Sequence, residues 1–212
     1  MIDRLPSGRK HAYEDALEKA WKDVSTLDLE VISSELGSGA VSDGRAVLIN
    51  MLGEACVVDI ACRTVRYDSP GDRDVPPYLQ ILMLHYLLGL SAAPLTNRFV
   101  SFRELDGGAL YYPAFKTRAI DPLVKTFGDE PELLRKIADS LGAEPLDIGQ
   151  VSFRLDFFEK VPVAVVLWLG DAEVPASASI LFDASANRIL PTEDLTVVGG
   201  VTSRTLIKRS QQ

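Results

Sequence analysis

The sequence predicts an α+β protein: a single domain over residues 1–212 with mainly antiparallel strands in two groups, a buried central helix and packed flanking helices. Three observations carry this. The β-patterned segments gather at 45–67 and 151–183 instead of alternating one by one with helices, which separates α+β from α/β chains. "YLQILMLHYLLGL" (Tyr78 to Leu90) is apolar nearly all round, a pattern that suits a helix covered on most sides. "VAVVLWL" (Val163 to Leu169) is apolar without alternation and belongs in the middle of a sheet, covered on both faces.

The elements follow in order. "HAYEDALEKAWKDVSTLD" repeats apolar residues at Ala12, Ala16, Leu17, Ala20, Trp21 and Val24, which is the period of an amphipathic helix. "RAVLINML" and "EACVVDIACRTVRY", with their glycine joins, read as two or three strands of a meander. Cys56 and Cys62 then share one strand face in the core, about 20 Å apart at ~3.3 Å per residue, too far for one disulfide or one metal. "YDSPGDRDVPP" is a loop feeding a helix from Pro76 to Leu90, since proline suits a first helical turn. "RFVSFRELDGG" is a strand ending in a turn. "ALYYPAFKTRAIDPLVKTFG" and "PELLRKIADSLG" are helical segments, each stopping at a glycine. "VSFRLDFF" alternates, with Val151, Phe153, Leu155 and Phe157 facing one way. "ASASILFD" alternates again, and "PTEDLTVVGGVTSRTLIKR" closes the chain as a helix. The "VGGV" inside it costs about 1 kcal/mol per glycine relative to alanine, which implies close packing against something.

Composition narrows the function classes. A net charge of −8, a pI near 4.8 and scattered Lys and Arg give no basic face for nucleic acid. No apolar run reaches the ~18 residues of a membrane span, and Met1 to Lys10 is too polar for a secretory signal. Two cysteines make no disulfide framework, so the reading is cytoplasmic.

The acidic stretch Gly170 to Leu195 is where a site is most readily sought. Asp171 and Glu173 fall in a strand connection and are expected in water. Thr192 reads as an N-cap, with Glu193 and Asp194 in the first turn favouring the positive end of the helix dipole. Asp183 ends a strand a short loop before that helix. Together these oxygens suit a hard cation in type, but the spacing of a dedicated calcium loop is absent. Opposite them, "FRELDGGALYYPAF" brings Arg103 and Tyr111 to a strand-to-helix junction. Its backbone amides could hold an anion, but a tight turn with amphipathic tyrosines is the better account. With two histidines, His11 and His85, triads and histidine–metal centres have little to draw on. No P-loop, G-x-S-x-G or G-x-G-x-x-G is present.

"ILMLHYLLG", "VSFRELDGGALYYPAF" and "WLGDAEVPASASILFDASANRILPTEDL" together resemble the DUF3786 family of bacterial and archaeal proteins, in order and spacing over nearly the whole chain. The resemblance implies one domain of this class and length, and it carries over no catalytic residue or cofactor. It also implies an anaerobic setting. Relatives fused to an iron–sulfur domain like that of corrinoid methyl-transfer proteins suggest an accessory role there, through a partner, because this chain lacks the cysteines for a cluster.

The reading is therefore a domain that binds a small ligand or a partner protein, with Arg103, Tyr111, Asp171, Glu173, Asp183, Glu193 and Asp194 as the candidate residues. The cofactor is left open and no metal is assigned. The alternative is a metal-assisted or acid–base enzyme, which requires at least three of these acids to converge.

Overall fold

The computed structural model describes residues 7–36, 40–41, 45–71, 73–91 and 94–212. The fold is α+β with two antiparallel sheets, and the chain divides into two compact units, 1–92 and 93–212.

The first unit begins with α1 (Ser7–Val24), which buries Ala20, Trp21 and Val24 at the spacing of one helical stripe. After α2 (Leu29–Leu36) come β1 (Ala40–Val41), β2 (Ala46–Met51), β3 (Glu54–Asp59) and β4 (Thr64–Tyr67), a four-stranded meander paired in sequence order. The β2–β3 hairpin turns on two residues, Leu52 and Gly53, both at positive φ (49° and 80°) as a twist-matched two-residue turn demands. The β3–β4 connection corrects one expectation. Cys62 does not continue the strand of Cys56: its amide donates to Asp59 Oδ1 at 2.8 Å, closing a turn, and its side chain is exposed. Cys56 alone is core, and burial pushes its thiol up to about 12.

Helix α3 (Pro77–Gly89) has the predicted span and buries Leu79, Ile81, Leu82, Met83, Leu84, Tyr86 and Leu87, with α1 packed beside it. Pro77 occupies its first turn, where no amide hydrogen is required.

The second unit holds β5 (Phe99–Ser101), β6 (Glu144–Pro145), β7 (Val151–Phe158), β8 (Val161–Trp168) and β9 (Ser177–Asp183), in the order β5-β9-β8-β7-β6. The unalternating run is indeed central. Every residue from Val161 to Leu167 is buried, as a strand flanked and covered on both sides must be. Around the sheet lie α4 (Gly108–Phe115), α5 (Asp121–Phe127), α6 (Pro131–Ser140), α7 (Ala186–Ile189) and α8 (Thr192–Arg209).

Between α4 and α5 the helix widens into a π turn, Lys116–Ile120, where the amide of Asp121 reaches back five residues to the carbonyl of Lys116. Pro122 follows and has no amide to donate, so a regular α-helical ladder cannot run through this point. Of the two glycine stops, Gly142 takes the left-handed conformation (φ 68°), whereas Gly128 stays right-handed. There a Cβ would lie 2.7 Å from the Val124 carbonyl oxygen and 3.2 Å from Ala176 Cβ, so close approach explains that glycine.

The core beside α4 is aromatic. Phe102 and Phe115 stack at 4.0 Å, with Phe182 edge-on to Phe102 at 5.9 Å. The "VGGV" has its partner here. A Cβ on Gly199 would sit 2.3 Å from Phe115 Cε2, so the Phe115 ring rests directly on the α8 backbone. Gly200 has only ordinary contacts.

Candidate functional site

The carboxylate of Asp183 ends β9, almost wholly buried, where β5 begins: Phe99 pairs with Asp183 across the ladder. Its Oδ1 accepts four hydrogen bonds, from the Thr96 amide (3.1 Å) and hydroxyl (2.9 Å) and the Ser185 amide (2.9 Å) and hydroxyl (2.6 Å). Burial pushes the acid up, but the four donors outweigh it and hold Asp183 below the usual carboxylate range. Its Oδ2 is buried without a partner. The role this geometry gives Asp183 is to tie the segment before β5 to the segment after β9.

Just beyond that tie the chain makes a second closed network. Asn187 Oδ1 accepts from the Asp106 amide at 2.7 Å, and Asn187 Nδ2 donates to the Thr192 hydroxyl at 2.9 Å. That hydroxyl in turn donates to the Asp106 carbonyl. Thr192 is therefore not the N-cap it was expected to be. It is the first residue of α8, Pro191 stands at the cap, and the hydroxyl is spent on a tertiary contact. The turn that delivers Asp106 depends on two adjacent glycines. Gly107 is left-handed (φ 71°), and a Cβ on Gly108 would fall 1.8 Å from the Phe102 carbonyl oxygen.

These two networks frame a cleft of about 270 Å³ lined by Arg98, Val100, Glu104, Leu105, Asp106, Ala184, Asn187 and Arg188. Glu104 is fixed by Ser101, whose hydroxyl (2.7 Å) and amide (2.8 Å) both donate to its Oε2 and keep it below the usual carboxylate range, with Arg98 adding to the effect. Neither Arg98 nor Arg188 is ion-paired among the described residues. The cleft thus offers two guanidiniums on a frame already held by hydrogen bonds.

The residues singled out from sequence do not share this cleft. Asp183 adjoins it through Ala184 but is enclosed by its own donors. Arg103 lies over the Tyr112 ring, 3.8 Å from its centroid. Tyr111 donates its hydroxyl to Glu193, which raises the tyrosine and lowers the acid. Asp194, in the same first turn of α8, is nearly buried. Asp171 and Glu173 are exposed, as expected. Asp171 Oδ1 accepts the amides of Glu173 and Val174 at 2.8 Å each, which ties the loop and lowers its acid. Among the described residues, no three His, Cys, Asp or Glu side chains converge as a metal site.

The cleft residues Arg98, Asp106, Asn187 and Arg188 were not singled out from sequence. One signal pointed to two of them: the expected meeting of the Asp183 strand with the helix starting at Thr192 leaves only residues 184–191 between, and Asn187 and Arg188 are their polar residues beside Ser185.

No helix among the described residues is long and apolar enough to cross a membrane. No curated protein and no solved structure matches the chain. A family model does match, over residues 28–205, which spans most of the sequence and both compact units. By that match the chain belongs to the family described as a domain of unknown function, DUF3786.

Proposed function

We propose that the second unit binds a small anionic molecule, a carboxylate or phosphate compound, in the cleft between Arg98 and Arg188, and that the protein acts as a binding module. The observation that carries this is the pair of guanidiniums lining one cleft, neither of them in a salt bridge among the described residues. Guanidinium groups match carboxylate and phosphate oxygens in forked geometry. A frame that is fixed before binding loses little conformational entropy when the ligand arrives. The volume suits a molecule of few heavy atoms, below the usual range of drug-sized pockets. Asp106 and Glu104 on the same walls favour a ligand that also carries a hydrogen-bond donor. The free thiols of Cys56 and Cys62 support a reducing, cytoplasmic setting.

The test is thermal stabilisation of the whole chain by inorganic phosphate and by succinate. Both Arg98→Ala and Arg188→Ala are expected to abolish the stabilisation while leaving the melting temperature without ligand unchanged. If neither probe raises the melting temperature, or if both variants respond like the wild type, the cleft is not an anion site.

A further inference from the structure

The far end of the second unit's sheet poses a separate question. β9 runs seven residues from Ser177 to Asp183, so its start lies about 20 Å from the cleft end at ~3.3 Å per residue. At that start two loops meet. One precedes β7 and the other follows β8, and these ends are neighbours because Val151 pairs with Leu167. The Leu169 amide donates to Gln150 Oε1 at 3.3 Å and joins the loops directly.

Large apolar side chains stand in solvent here: Ile148 at 36%, Leu169 at 38% and Val174 at 60% exposure. Half-buried Trp168 sits among them, its indole 3.0 Å from where a Cβ on Gly149 would be. Charge is one-sided. Asp147, Asp171 and Glu173 lie on the same two loops, and no Lys or Arg occurs in 137–153 or 161–187. The neighbouring base, Arg135, is committed to the Gln150 carbonyl and to Glu132.

We propose that this end of the sheet is a docking surface for a partner protein, recognised through a basic amphipathic helix. The apolar side chains would receive its apolar stripe, and the acids would face its Lys and Arg. A strand is the poorer fit. β8 is paired on both sides here, and although β5 pairs only with Leu181–Asp183 and leaves Ser177–Ile180 of β9 without a strand on that side, the exposed apolar side chains stand on the loops beyond the strand ends and not along that edge. An anionic membrane is disfavoured by the same acids.

The probe is a fluorescein-labelled amphipathic helix of leucine and lysine, about four turns long, added to the full chain carrying Trp21→Phe. Trp168 is then the sole tryptophan. Saturable anisotropy with a shift in Trp168 emission is expected, weakening as salt rises. A matched leucine–glutamate helix is expected not to bind. Val174→Ser and Leu169→Ser, which leave charge untouched, are expected to weaken binding about tenfold or more, as loss of an anchor does. Glu173→Gln is expected to weaken it less and to flatten the salt dependence. The proposal is overturned if the probe does not bind. It is equally overturned if the serine variants bind as the wild type does, which would mean that acidic surface elsewhere captures the peptide. Conversion of a wild-type dimer to a monomer by those variants would identify a second copy as the occupant instead.

Discussion

Asp183 shows how one side chain decides whether two distant segments stay together. Four donors converge on its Oδ1, two of them from Thr96, 87 residues away in the chain. Asp183→Ala strands the two Ser185 donors in a buried place, frees those of exposed Thr96 to water, and is expected to lose at least about 2 kcal/mol, since hydrogen bonds to a charged group are worth roughly 1.5–3 kcal/mol each. Asp183→Asn keeps an acceptor at the same position and is expected to lose less. The acid's folded-state value lies below its unfolded one, near 3.9. Its contribution is therefore fully present above the unfolded value and disappears as pH falls through the folded one. Urea midpoints from pH 7 to pH 2 check this: the gap between wild type and Asp183→Ala should narrow in acid. The alternation of "SASILFD" placed this carboxylate at a strand end correctly. It could not show that Thr96 and Ser185 enclose it, because long-range partners leave no periodic trace in sequence.

Between elements, Phe115 rests directly on the α8 backbone at Gly199. Adding a methyl group at Gly199 drives it into that ring, so Gly199→Ala is expected to destabilise by about 1–3 kcal/mol, as overpacking does. Gly200→Ala meets nothing closer than 3.5 Å and should gain up to ~1 kcal/mol from helix propensity. Opposite signs at adjacent glycines, measured by thermal melting, would confirm that the ring demands glycine at 199 and not at 200. Sequence reasoning reached the close packing but not its partner. It placed β8 well, because a strand covered on both faces advertises itself by an unbroken apolar run. It misread Cys62 and Thr192, where local pattern was overruled: a turn closed by Asp59 cut the strand short, and a tertiary partner took the capping hydroxyl.

For the whole molecule, the expectation of a single domain can be tested with the two tryptophans, Trp21 in the first unit and Trp168 in the second. Leu84, fully buried in α3, is far from neither unit's stability if the chain is one cooperative domain. Leu84→Ala should then cost roughly 2–5 kcal/mol and move the unfolding midpoints of both fluorophores together. A shift confined to Trp21 would show two domains. The helix itself was legible because its apolar residues occupy every face. The cleft was not, because its arginines come from segments that only the strand order β5-β9 brings together.

The π turn between α4 and α5 has a consequence for chain length. It carries one residue more than an α-helix would need to pass the same point. Removing a residue from an ordinary helix turns everything beyond it by about 100°, which would swing Leu123 and Phe127 out of the core they fill. Here the surplus can be given up instead. Deleting exposed Thr117 together with Pro122→Ala, which restores the missing amide, should yield a continuous helix with both side chains still facing inward. The joint is a place where this chain can shorten by one residue and keep its fold.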